Sequence, residues 1–96
     1  SALYLREWTQ LESDVERKIL LLLADDPRTE LTATSTLRRY QLGPKTTVHR
    51  SLQRLISGEV VVAVGKDERT FDDPFFRRWV QVNALEDIGR PIPLLI

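Results

Sequence analysis

The stretch from Gly43 to Asp73 constrains the fold more than any other part of this sequence. Its first half, residues 44–57, carries apolar side chains at the spacing of one helix face: Val48, Leu52, Leu55 and Ile56. Gly43 suits an N-cap or a strained turn position, and Pro44 suits the first helical position. Gly58 suits the left-handed residue that follows a helix. The sequence therefore predicts a turn and then a helix with clear ends.

The second half of this stretch is a predicted β-hairpin. Residues 60–64 form a continuous, mostly β-branched run, residues 65–68 are charged and turn-forming, and residues 69–72 supply the returning strand. A turn, a helix and a two-stranded wing in this order are typical of a winged helix-turn-helix. The expected fold class is mainly α with a small β component. It has a three-helix core, an antiparallel hairpin wing and a C-terminal helix.

Further helices are predicted upstream. One face of a short N-terminal helix carries Tyr4, Trp8 and Leu11. Ser13 and Glu16 fit a capping box, in which each side chain bonds the backbone amide of the other residue. The helix behind this box has the most apolar sequence, so we expect it to be the most buried. Thr32 or Thr34 is the expected cap of a second helix, which precedes the turn.

A last helix is predicted after the hairpin. Asp73 is its expected cap, and Pro74 lies in its first turn. Its apolar face is expected to comprise Phe75, Phe76, Trp79 and Val80. The apolar pattern fades after Asn83. The predicted organisation is therefore a lead-in helix at residues 1–12, a winged-helix domain at 13–82 and a tail at 83–96.

Composition excludes several kinds of site. The chain has no cysteine and one histidine, so we expect neither a metal centre nor a cofactor. No nucleophile–base constellation is apparent, and an enzyme is not expected. The apolar runs are too short to span a bilayer, so no membrane partner is expected, and the lack of cysteine fits the cytoplasm. The chain has no methionine and begins with Ser1, which predicts a piece of a longer protein.

The charge distribution favours double-stranded DNA as the partner. The chain has no net charge, yet residues 36–69 carry seven basic and three acidic side chains. The outward face of the predicted recognition helix holds Thr46, Arg50, Gln53 and Arg54. Arginine pairs well with guanine and glutamine with adenine, so we expect Arg50 and Gln53 to contact bases. Expected phosphate contacts come from Arg38, Arg39, Lys45, Arg54, Lys66 and Arg69.

Two observations favour other interpretations of the same residues. The outward side of any surface helix is polar, whether or not it contacts a partner. Asp67 and Glu68 lie at the predicted wing tip and would repel DNA.

The run Phe-Asp-Asp-Pro-Phe-Phe-Arg-Arg-Trp at residues 71–79 resembles a segment of the C-terminal winged-helix domain of archaeal-type AAA+/STAND P-loop ATPases. The residues that match the family's typical motif are Phe71, Asp73, Pro74, Phe76, Arg78 and Trp79. Trp8 also resembles a tryptophan that the family has upstream of the first core helix. The resemblance implies an ATPase domain upstream in the same parent chain. It also implies that the winged helix either binds DNA or is a protein-interaction or intramolecular regulatory module. Whether it forms a homo-oligomer stays open.

Overall fold

A computed structural model describes residues 2–88 of the chain. Within them lie five helices and two strands: α1 Ala2–Thr9, α2 Asp14–Asp25, α3 Thr34–Arg39, α4 Lys45–Ser57, β1 Val61–Val64, β2 Glu68–Phe71 and α5 Pro74–Ile88. The prediction of a mainly helical chain with one small antiparallel sheet is confirmed. The helical part of the predicted tail, residues 83–88, continues α5 because Ala84 is still buried in the core. Residues 89–96 lie outside the described residues.

Helix α2 forms the centre of the core. Its residues 19–24 are all buried, because α4, α5 and β2 pack against it. A helix that is surrounded by other elements keeps no solvent face over its buried turns, and this explains its unbroken apolar sequence. The prediction that α2 is the most buried helix is confirmed. Helix α2 ends at Asp25, just before Asp26 and Pro27, as expected.

Helix α1 belongs to the same core. Trp8 is 1% exposed, and its ring centroid lies 6.2 Å from that of Trp79 on α5. Tyr4 stacks on Phe76 at 5.4 Å. Aromatic pairs at these separations stabilise packing beyond the area that they bury. The predicted lead-in helix is therefore anchored to α5.

Helix α5 is capped as predicted but presents a different apolar face. The Asp73 carboxylate accepts a hydrogen bond from the backbone N–H of Phe75 at 2.8 Å. Phe76 and Val80 are buried. The expectation that Phe75 joins them is wrong, because its side chain is 75% exposed. Residue 75 lies about 100° around the helix from residue 76, on the side that the rest of the domain leaves open.

The ends of α3 and α4 differ from the sequence expectations. Gly58 has φ −81°, and the left-handed residue after α4 is Glu59 at φ 61°. Helix α3 ends in the same way, with Gln41 at φ 52°. Each end is closed by the two backbone hydrogen bonds of a Schellman motif, which for α4 run from Glu59 to Ile56 and from Val60 to Leu55.

The starts of these two helices also differ from expectation. Pro44 is the N-cap of α4, with extended backbone, so the helix begins one residue later than predicted. Gly43 takes the left-handed turn position at φ 87°. The N-cap of α3 is Ala33, which makes no side-chain capping bond, so neither Thr32 nor Thr34 caps this helix.

The two strands form a short hairpin whose base enters the core. Val61 pairs with Phe71, and both side chains are buried. Val64 pairs with Glu68 at the other end, which leaves a turn of residues 65–67. Gly65 has φ 66° in this turn, a conformation that favours glycine. The hairpin therefore projects its charged turn away from the core.

Candidate nucleic-acid interface

Helix α4 has an exposed polar face. Thr46, Arg50 and Gln53 are exposed, whereas Val48, Leu52 and Leu55 on the opposite side are buried. The core packs on one side of α4 only, since α2 and β1 contact it there. The three polar side chains lie at i, i+4 and i+7 spacing, so they follow one line along the helix.

A groove of about 670 Å³ lies beside this face. Its walls are the N-terminal half of α4, the turn of the hairpin and the 28–33 segment; we call it the hairpin groove. Four cationic side chains line it: Arg28, Lys45, Lys66 and Arg69. Two carboxylates, Glu30 and Asp67, also line it. The positive excess favours a polyanion over a neutral ligand.

Backbone and side-chain contacts hold the walls of the groove together. The backbone N–H of Arg69 in β2 donates to the carbonyl of Pro27 at 2.9 Å. The Arg28 guanidinium lies 3.5 Å from the Glu68 carboxylate. The hairpin is therefore fixed to the segment between α2 and α3. As a result, Arg28 of that segment lies close to Lys66 and Arg69 of the hairpin.

Two basic side chains of the groove, His49 and Arg28, were not among the predicted contacts. His49 follows Lys45 by four residues and shares its side of α4, a spacing visible in the sequence. Arg28 reaches the groove from a distant segment, and no local pattern in the sequence indicates this.

Arg54 does not extend the exposed face of α4. Its Nε lies 2.9 Å from Glu16 Oε1 and 3.1 Å from Glu12 Oε2, and its Nη2 donates to Ser51 Oγ at 3.2 Å. The guanidinium is therefore turned toward α2, and we leave Arg54 out of the interface.

This ion pair also changes the predicted capping box. Ser13 Oγ accepts from the Glu16 backbone N–H at 3.3 Å, as expected. The Glu16 carboxylate, however, is 4% exposed and accepts from Arg54. A buried carboxylate needs a charged or strongly hydrogen-bonding partner, and Arg54 supplies it.

Arg38 and Arg39 lie outside the hairpin groove. Both are exposed on α3. The Arg39 guanidinium carbon lies 5.4 Å from the ring centroid of Tyr40, and its side chain lines a separate depression together with Asp25 and Asp26. These two carboxylates reduce the positive potential there, so α3 offers a weaker anion surface than the groove.

Three other cations cap the C-terminal ends of helices. Arg17 donates to the carbonyls of Trp8, Thr9 and Leu11 at the end of α1. Lys18 donates to the carbonyl of Gln41 after α3, and Arg77 donates twice to that of Ala24 in the last turn of α2. Cations are favourable at helix C-termini because the unpaired carbonyls carry partial negative charge.

Among the described residues, no group of His, Asp and Glu could hold a metal ion. Residues 2–88 also include no helix that is long and apolar enough to cross a membrane.

The shifted pKa values lie where α1 meets α5. The Tyr4 hydroxyl donates to Asp73 Oδ2 at 2.9 Å, which lowers the pKa of Asp73 and raises that of Tyr4. Burial and then the Asp73 charge raise the pKa of Glu7. This cluster caps α5 and lies apart from the groove.

No family model, curated protein or solved structure matches this chain.

Proposed function

We propose that this chain is a non-catalytic winged-helix module that binds double-stranded DNA. In this proposal α4 is the recognition helix and the β1–β2 hairpin is the wing. Arg50 and Gln53 contact base edges in the major groove, and Thr46 contacts the nearby backbone. Their common exposed line along α4 supports these roles.

The observation that carries the proposal is the meeting of cations from separate elements in the hairpin groove. Lys45 comes from α4, and Lys66 and Arg69 come from the hairpin. A DNA strand is a row of phosphates, so it is matched by cations that line one groove. These three residues are the proposed main phosphate contacts, and Arg38 and Arg39 are proposed as peripheral ones.

We also propose, from the resemblance of residues 71–79, that this module belongs to a cytoplasmic P-loop ATPase of the AAA+/STAND class. Structural roles account for much of that run in this chain. Phe71 and Phe76 are buried with ring centroids 5.7 Å apart, and Asp73 caps α5. Arg78 is exposed, whereas its neighbour Arg77 bonds to the end of α2.

A second candidate function is a protein-interaction or intramolecular regulatory module. The outer face of α5 favours it, because Phe75 and Val82 are 75% and 60% exposed. They are two helical turns apart and therefore lie on one side of α5. In this case α5 is the contact surface, and the α4 face is an ordinary solvated one.

Fluorescence anisotropy with labelled duplex DNA of random sequence tests the first proposal. The log–log dependence of affinity on salt should have a slope of about −2.7 to −4.5, as expected for three to five phosphate contacts at about −0.9 each. Lys66→Ala should reduce the slope by about 0.9. Arg78→Ala is the matched control, since it removes an exposed cation on α5 and should leave the slope unchanged.

The test separates the two candidate functions. Absence of binding at low salt, or binding that is indifferent to salt, would reject the DNA module and leave the interaction module. If binding occurs, Arg50→Ala should cost about 1–3 kcal/mol on a preferred site selected from random duplexes. An unchanged affinity would reject base contact by Arg50.

A further inference from the structure

His49 lies among the cations of the hairpin groove, on the wall formed by α4. It is exposed, so an anion in the groove can reach its ring. Histidine is the side chain whose charge ordinarily changes between about pH 5 and 8. We propose that His49 is an additional phosphate contact, which binds DNA in its protonated form. The domain then binds DNA more tightly in mildly acidic solution; this inference rests on the proposed DNA-binding function.

The charged surroundings of His49 come from three elements. Lys45 lies one turn before it on α4. The facing groups of the other walls are Arg28, Glu30, Lys66, Asp67 and Arg69. Glu68 pairs with Arg28 at 3.5 Å and adds a third carboxylate beside this set.

Bound DNA adds negative charge beside His49. The phosphates of a DNA strand in the groove are close to Lys45, Lys66 and Arg69 and neutralise them, whereas Arg28 already pairs with Glu68. The phosphates also attract a proton to the imidazole, because a nearby anion favours the charged form of histidine. DNA binding should therefore be accompanied by proton uptake at neutral pH, and acid should strengthen binding by the same linkage.

The sequence makes this effect easy to assign, since His49 is the chain's only histidine. Among the described residues, Glu7 is the carboxyl group whose pKa is raised, mainly by burial. Glu7 lies on α1 beside Asp73 and does not line the groove. Glu7→Gln is therefore the matched control for a pH effect that arises elsewhere.

The experiment measures anisotropy with random duplex DNA at about pH 7.5 and about pH 5.5, each over a range of salt. We expect the affinity at fixed salt to rise at least about threefold at the lower pH, and the salt slope to steepen by up to about 0.9, one contact. His49→Gln should bind equally at both pH values, with the shallower slope. His49→Arg should bind equally at both, with the steeper slope. Glu7→Gln should behave as the unaltered protein does.

Two results would overturn the inference while leaving DNA binding intact: equal binding by the unaltered protein at the two pH values, or a pH effect that persists in His49→Gln. Absence of salt-dependent binding at both pH values would instead overturn the proposed function, and the role of His49 with it. Urea unfolding of each variant at both pH values checks that the fold is retained. Retention is expected for the two His49 variants because residue 49 is exposed.

Discussion

The ion pair between Arg54 and Glu16 yields the sharpest stability prediction. Arg54 was expected from the sequence to contact DNA, but its guanidinium faces Glu16, Glu12 and Ser51. Arg54→Met keeps most of the apolar stem and removes the charge. It should destabilise the domain, because it leaves the buried Glu16 carboxylate without its main partner.

The magnitude follows from the exposure of the two partners. Opposite charges at about 4 Å interact by about 4 kcal/mol at an effective dielectric constant of about 20. The Arg54 side chain is 37% exposed, whereas Glu16 is 4% exposed, so solvent weakens the pair from one side only. We discount the coupling to about 2 kcal/mol for this screening. The lost bond to Ser51 adds about 1 kcal/mol, and Arg54→Met should cost about 3 kcal/mol in total.

Urea unfolding followed by tryptophan fluorescence measures this, because Trp8 is buried and Trp79 packs against it. Glu16→Gln and the double variant complete a double-mutant cycle, whose coupling energy should be about 2 kcal/mol. Arg50→Met is the matched control on the same helix. Arg50 is exposed, so this variant should change the free energy of unfolding by less than about 0.5 kcal/mol.

A cost of less than about 0.5 kcal/mol for Arg54→Met would refute this role of the ion pair. A coupling energy close to zero, as for solvated surface pairs, would do the same. The same variant also tests the interface. A folded Arg54→Met domain should keep the salt slope of DNA binding, since Arg54 is not a proposed contact. A slope reduced by about 0.9 would return Arg54 to the DNA surface.

Three further predictions concern the fold. Glu59→Gly should raise the free energy of unfolding by about 0.5–1 kcal/mol in urea, because glycine removes the left-handed strain at φ 61° but is more flexible when unfolded. Arg77→Met should lower the free energy of unfolding in urea by about 1–2 kcal/mol, because Gln81 still bonds to the Ala24 carbonyl. Glu7→Gln should stabilise the domain at pH 7, because the pKa of Glu7 is raised in the folded state, so its charged form is disfavoured there. This gain should disappear in urea titrations below about pH 4, where Glu7 is protonated in both states.

Local patterns in the sequence predicted most of the secondary structure. The apolar stripes of α2 and α4, the Asp73 cap and the Gly65 turn are each encoded within a few neighbouring residues, and the structure contains all four. The left-handed residue after α4 was misplaced by one position, because glycine is only the preferred residue there. The closing hydrogen bonds, from Glu59 and Val60, decide where the helix ends.

The sequence also largely predicted which side of each helix is apolar, but it did not predict which residues pack against that side. Phe75 and Phe76 were both expected on the apolar face of α5, yet only Phe76 is buried in the core. Periodicity likewise leaves Arg54 beside the outward face of α4. The direction of its side chain depends on Glu16, a residue 38 positions away.

The sequence by itself thus determined the class of fold, the order of its elements and the exposed line of Thr46, Arg50 and Gln53. Only the tertiary structure decided which basic side chains line the hairpin groove. Arg17, Lys18 and Arg77 are held by the carbonyl ends of other helices, while Arg28 and His49 join Lys45 in the hairpin groove. The physical reason is that a charged side chain takes its partner from whatever the folded chain brings within a few ångströms. Arg77 and Ala24, which are 53 residues apart, illustrate that local sequence does not contain that information.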